Sequence, residues 1–224
     1  MTRVEYGLKV DGEHGRIDPC AVTTEFYDAG QHCGIAYWDH QKNELKQLHM
    51  ADHNELKVSP AGRIVALGKK SIWVRPPVNP LRLKIVRGYC MQIERKLPYE
   101  VPYAFRITNQ TRFTDTGDLL LVGQAGLTCA TLVVAVFAST GLRLVDIDSW
   151  IVRAEDAQVI SAAILRLKSK GVDPLHVQKM VEETPCIRIR PDEVGGAALE
   201  SSHPVEMSRA VQMSAELRSL AGAV

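Results

Sequence analysis

The sequence predicts an α+β fold in a single domain spanning residues 1–224. Three observations carry that expectation. HCGIAYW (32–38) and ELKQLHM (44–50) are short segments that alternate or carry β-formers, and the polar DHQKN between them makes the pair an antiparallel hairpin. CATLVVAVFAST (129–140) is apolar nearly all round and follows a capping threonine, so it reads as a helix buried on most sides. Several other stretches have the spacing of amphipathic helices, and no internal repeat or low-complexity tract divides the chain.

Residues 1–31 are mixed and turn-rich and yield no element. After the hairpin, SIWVRPP (71–77) is a strand closed by its prolines. NPLRLKIVRGYCMQIERKL (79–97) is a helix with Asn79 as N-cap and Pro80 at the first helical position. Leu81, Ile85, Tyr89 and Ile93 recur every four residues as its predicted apolar stripe, with Cys90 on the buried side. PYEVPYAFRITNQTRFTDTGD (98–118) carries strong turn signals and is a long loop, and DLLLVG is a brief strand. Thr128 caps the buried helix and Gly141 ends it. RAEDAQVISAAILRLKSKG (153–171) and DPLHVQKMVEE (173–183) are further helices, the second opened by Pro174. CIRIRP (186–191) reads as a strand, and HPVEMSRAVQMSAELRSL (203–220) as a C-terminal helix. Residues 146–224 are thus expected to form a helical C-terminal extension.

Composition narrows the function classes. The formal net charge is +1, so no strong field points to nucleic acid or an anionic membrane. No apolar run reaches the roughly 18 residues of a membrane span. The start, MTRVEYGLKVDGEHG, lacks the pattern of a secretory signal, so the expected location is cytoplasmic, although signal-independent secretion leaves no trace in such a test. Five cysteines, at 20, 33, 90, 129 and 186, are widely spread without a CxxC pair, which argues against a disulfide framework and for a reducing compartment. No cofactor motif is present, and oligomeric state is left open.

One thiol stands apart. Cys129 lies where a polar loop becomes the buried helix, and a helix N-terminus stabilises a thiolate while its free amides can hold an oxyanion. The base it needs is suggested by the hairpin. If Trp38 pairs near Asn43 across a four-residue loop, Gly34 faces Gln47 and His32 faces His49. Directly opposed residues share a face, so one imidazole can take the thiol proton while the other fixes its tautomer.

These residues resemble a known family. HCGIAYW…LHMA is similar to the motif of NlpC-like papain-fold cysteine peptidases, in which a strand opening H-x-G-I-x carries a histidine and the next strand a third polar residue. LTCATLVVAVFASTGLRL resembles their nucleophile helix. Here His32 precedes Cys129, so the resemblance is to the circularly permuted branch that includes lecithin:retinol acyltransferase-like proteins. It covers roughly residues 30–52 and 98–145. It implies a papain-like α+β domain with the nucleophile helix packed on an antiparallel sheet and extra C-terminal helices. It further implies Cys129 as nucleophile, His32 as general base, His49 as orienting residue and Tyr103, of the Pro102–Tyr103 pair, as a substrate-binding residue, with Pro98–Tyr99 as the competing pair. The implied activity is hydrolysis of an amide bond, with peptidoglycan peptides as one substrate. Acyl transfer or thioester and lipid-ester hydrolysis is the alternative within the fold, and an idle papain-like binding module the alternative outside catalysis. The family's D-C-S-G is here Thr128–Cys129–Ala130–Thr131.

A zinc site drawn from His32, Cys33, His40, His49 and His53 is the rival reading. On a strand Cys33 and His32 point to opposite faces, and His49 and His53 have helical spacing in what reads as strand and loop, so no metal is expected. Cys20, Cys90 and Cys186 read as structural thiols, and His14, His176 and His203 have no evident partner.

Overall fold

The structure, a computed structural model, describes residues 3–6, 19–27, 30–60 and 70–222; His14 lies outside them. It is α+β. Six strands, β1 (Arg3–Tyr6), β2 (Cys20–Tyr27), β3 (Gly30–Asp39), β4 (Glu44–Asp52), β5 (Glu55–Pro60) and β6 (Lys70–Arg75), form one antiparallel sheet in the order β1-β6-β2-β3-β4-β5. β2 is central and mostly buried, which is why it lacks the polar alternation that would have announced it.

The predicted hairpin forms, but one residue later on each strand. Asp39 pairs with Glu44 and Ile35 with Leu48, so the loop is His40–Asn43 and His32 does not face His49. The cause is local. The Asp39 carboxylate accepts from the amides of Gln41 (3.0 Å) and Lys42 (3.2 Å), and Asn43 takes a left-handed φ of 50°. Because the shift moves both strands by one, face parity survives and the two histidines become diagonal neighbours.

The sheet's core face carries Val22, Cys33, Ile35, Tyr37, Leu48, Ile72 and Val74 into one large apolar cluster. Helix α1 (Pro80–Arg95) starts at the Asn79 cap as expected, but buries Leu83, Val86, Cys90 and Ile93, while Leu81 and Ile85 are exposed. The stripe runs 83-86-90-93, a true 3.6-residue period, and the strict four-residue series drifts off that face. Residues 98–128 run as a long loop interrupted by the two-residue strands β7 (Arg112–Phe113) and β8 (Leu119–Leu120). Helix α2 (Cys129–Ser139) is buried from Ala130 to Phe137 and packs on β3 and β4.

Helices α3 (Asp156–Ser169) and α4 (Pro174–Glu182) form a second small core with Ala104, Phe105 and Ala125 of the loop. Residues 186–190 are not a strand. Arg153 holds them in extended form by donating to the Arg188 carbonyl (2.6 Å) while binding Asp156 and Glu193. Cys186 and Ile189 turn inward and Arg188 and Arg190 lie half-buried, so the strand-like alternation marks an extended segment with no ladder partner.

Helix α5 (Pro191–Leu199) is buried at every residue, wedged between the sheet and helix α6 (Met207–Gly222). Its paired glycines permit this. A Cβ on Gly195 would stand 2.3 Å from Thr24 Oγ1, and one on Gly196 2.6 Å from the Ser214 amide. Residues of α5 and α6 belong to the same core as α2. No helix among the described residues is long and apolar enough to cross a membrane.

Candidate active site

The site begins with the start of α2. Thr128 is the N-cap, its hydroxyl accepting from the Thr131 amide (3.2 Å) while the Thr131 hydroxyl accepts from the Thr128 amide (2.7 Å). This reciprocal box explains the Thr-Cys-Ala-Thr sequence. It leaves the amides of Cys129 and Ala130, the first of the helix, outside the cap. Cys129 itself is half-buried, at the solvent end of a helix that is otherwise core.

The approach to the thiol is fixed by a close backbone contact. Leu127 donates to the Pro102 carbonyl (2.8 Å) and Ala104 to the Leu127 carbonyl (3.2 Å), bridging Tyr103 to Leu127. A Cβ on Gly126 would fall 2.0 Å from the Pro102 oxygen, so only glycine admits this crossing. The sequence therefore brings Tyr103 beside Cys129, and burial followed by the nearby Cys129 charge pushes the Tyr103 phenol upward. Tyr99, the competing tyrosine, spends its hydroxyl on the Leu119 amide (2.6 Å).

His32 and His49 meet as predicted, by a different geometry. Nε2 of His32 lies 3.0 Å from Nδ1 of His49, and the rings stand edge to face with centroids 5.1 Å apart. Nε2 of His49 continues to Ser59 Oγ at 3.1 Å, a residue the sequence reading did not single out. His32 also hydrogen-bonds the Cys129 thiol, and Nδ1 is the ring nitrogen that His49 leaves to it. Burial, followed by the His32 charge, lowers the His49 pKa to about 4, so His49 is neutral near pH 7 and can accept at Nδ1.

The Cys129 thiol is held well below its ordinary range. Hydrogen bonding with Cys33 is the largest influence, and burial opposes it; the bond and charge of His32 and the Cys33 amide then add to the lowering. Cys33 is fully buried and pushed well above a normal thiol, first by burial and then by Cys129, so it remains an S–H donor toward a Cys129 thiolate. Cys33 and His32 do occupy opposite faces of β3, but the core face of Cys33 is the one on which α2 packs. A cysteine next to the histidine was the available signal.

Behind the imidazoles lies a polar strip on the same sheet face. Glu25 on β2 is the direct cross-strand partner of His32 and is 3% exposed. It accepts from Tyr27 Oη and from Gln47 Nε2 (2.9 Å), and Gln47 also donates to Thr23 (2.7 Å). Gln47 crosses β3 over Gly34, where a Cβ would stand 2.9 Å from Gln47 Nε2 and 2.7 Å from the Leu48 carbonyl. The glycine of the H-x-G-I pattern thus has a packing reason.

His53 does not join His49. It accepts from the Tyr103 amide at Nδ1 (3.1 Å), and His176 Nε2 lies 2.9 Å from the Tyr103 carbonyl, the two rings 4.7 Å apart. This second histidine pair fixes the Tyr103 backbone between β4 and α4. Among the described residues no group of three or more His, Cys, Asp or Glu side chains converges on one point as a metal ion would need. No family model, curated protein or solved structure matches this chain.

Proposed function

We propose that the chain is a cysteine hydrolase of papain-like, circularly permuted NlpC-like kind, cleaving an amide bond through Cys129, His32 and His49. The observation that carries this reading is a thiol at a helix N-terminus, depressed in pKa, sharing His32 with a neutral second imidazole 3.0 Å behind it. The Cys129 thiolate attacks the carbonyl carbon, and the Cys129 amide, left outside the helix cap, stabilises the oxyanion. His32, as imidazolium, gives its Nδ1 proton to the departing amine. It then takes a proton from the water that cleaves the thioester. His49 accepts the Nε2–H of His32 throughout, fixing its tautomer and supporting its charge, while Ser59 fixes His49. Tyr103 borders the acyl group.

Peptide amides, including those of cell-wall peptides, are the substrate class of this reading. Acyl transfer from thioesters or lipid esters would pass through the same thioester at Cys129, so the trapped acyl group separates them. Intact-mass spectrometry after incubation with peptide amides, thioesters and lipid esters is the test. A peptide-derived acyl mass located on Cys129, and lost in Cys129→Ala, is expected. Turnover that survives Cys129→Ala would remove the nucleophile and the reading with it.

A further inference from the structure

A cavity of about 420 Å³ opens between the end of the β2–β3 hairpin and the extended segment before α5. Cys129 does not line it, but lies near enough that its charge, after burial and Glu25, pushes up the phenol of Tyr27, which does. Tyr27 and Gln31 form its hairpin wall. Gln31 immediately precedes His32, and the Tyr27 phenol bonds Glu25, the cross-strand partner of His32. The opposite wall carries Arg188, Arg190 and Arg218. None of these arginines lies within the parts of the chain that resemble the NlpC-like pattern.

Among the described residues formal charge in this cavity balances, because Glu155, Asp156 and Asp192 also line it. Hydrogen-bonding capacity does not. Asp156 is 1% exposed, and both its oxygens are committed: Oδ1 to Arg188 (2.8 Å) and Arg190 (3.0 and 3.1 Å), Oδ2 to Arg153 (2.8 Å). Asp192 is fully buried, with Oδ1 on the Glu193 amide (3.1 Å) and Oδ2 on Arg218. Glu155 stands at the rim, its side chain 65% exposed. The guanidiniums are only partly buried, and each carries more N–H donors than these bonds consume. The buried acids therefore fix the arginines, which keep N–H donors that these bonds do not use.

We propose that this cavity is a substrate subsite that takes a carboxylate, clamped by Arg188 with Arg218 and Arg190, on the group joined to the scissile carbonyl. The planar forks of arginine suit a carboxylate in two-point contact. The balanced formal charge favours a monoanion over a phosphate dianion, which would leave the cavity with a larger surplus of negative charge. The proposal rests on the cysteine-hydrolase reading for its reacting atom and adds the chemistry of the substrate next to it.

The test needs no knowledge of the natural substrate. Bromoacetamide reagents of equal chain length, ending in a carboxylate, a neutral carboxamide or a phosphate, are allowed to alkylate the native protein, and modification of Cys129 is followed by peptide mapping. The carboxylate reagent should react about tenfold faster than its carboxamide twin, with a saturating dependence on concentration. On Arg188→Gln and Arg218→Gln that ratio should fall to about one. Arg188→Lys, which keeps a cation against Asp156 but loses the fork, should retain its melting temperature and still lose most of the preference. A ratio near one in the wild type, a ratio unchanged in the variants, or faster reaction of the phosphate reagent would each overturn the carboxylate subsite. Plain iodoacetamide separates the two levels. If Cys129 resists it in the native protein, the nucleophile assignment fails; if Cys129 reacts with it but shows no carboxylate preference, only the subsite fails.

Discussion

Gln47 reaches Glu25 across the full width of an intervening strand, its Nε2 standing 2.9 Å from the carboxylate. The route exists because Gly34 has no side chain. Gly34→Ala would press a methyl against the Leu48 carbonyl as well as the Gln47 amide, and backbone cannot yield as a flexible side chain can. A loss of about 1–3 kcal/mol in stability is expected, read by denaturant titration. His49 Cβ lies only 3.0 Å from that methyl position, so Cys129 alkylation should slow in the same variant.

Alkylation of Cys129 by iodoacetamide, followed against pH, should rise with a midpoint below that of a free thiol, because Cys33 and His32 both favour the thiolate. His32→Ala should move the midpoint upward and so slow labelling near neutral pH. Cys33→Ala should move it in the same direction by removing the S–H donor. Faster labelling of Cys20 or Cys90, both fully buried, would return Cys129 to a purely structural role.

His49→Ala removes the acceptor for His32 Nε2 while leaving the sulfur in place. Turnover should drop by about a hundredfold or more, with iodoacetamide labelling at high pH much less affected. His49→Gln, which can still accept through its side-chain oxygen, should recover part of the loss.

The lowered His49 pKa also sets a direction for stability. Its folded value of about 4 lies below the ordinary 6.5, so between those limits the unfolded chain binds the extra proton. Stability is therefore full above about pH 6.5 and declines as pH falls toward 4, by up to about 3 kcal/mol from this group. Thermal melts across that window should flatten in His49→Gln. An unchanged slope would mean that His49 is solvated in solution.

Lys46 ties the hairpin to α1. Its ammonium is 5% exposed and lies 2.7 Å from Asp39 and 2.5 Å from Glu94, which also accepts from Tyr37 Oη (2.8 Å). Lys46→Ala strands the buried Asp39 carboxylate and should cost about 3–5 kcal/mol, whereas Asp39→Asn with Lys46→Met should cost less than the sum. Chemical denaturation of Lys46→Ala, of Asp39→Asn and Lys46→Met singly, and of the double variant gives the comparison.

Legibility of the sequence follows the range of the interactions involved. The caps at Asn79 and Thr128 and the glycine stop at Gly141 were readable because each is settled within a few residues. So was the hairpin, but its register turned on Asp39 binding two amides in its own loop, which alternation does not encode. β2 went unread because CAVTTEFY mixes apolar and polar residues, and Thr23 and Glu25 are bonded by Gln47 from two strands away. PDEVGGAAL contains two glycines, which ordinarily argue against a helix; here they are the contact surfaces with β2 and α6. Within the site, Cys129, His32, His49 and Tyr103 could be chosen by local pattern and resemblance. Cys33, beside His32, was within reach of the sequence, whereas Glu25 and Ser59 act from other strands and the arginines from positions more than 50 residues beyond Cys129, so only the fold brings those in.

The order in which the chain is made bears on when its core closes around the candidate site. Both imidazoles and the thiol exist once residue 129 has been added, yet the helix that wedges against β2 and β3 begins at Pro191. At ordinary elongation speeds of about 5–20 residues per second, several seconds separate the two. Until α5 and α6 dock, the part of the core face of β2 and β3 that α5 covers stays open. A half-made chain therefore carries its thiol and both imidazoles on an unfinished core, and a chain unravelled for passage through a narrow conduit would regain that core only when its last helices returned.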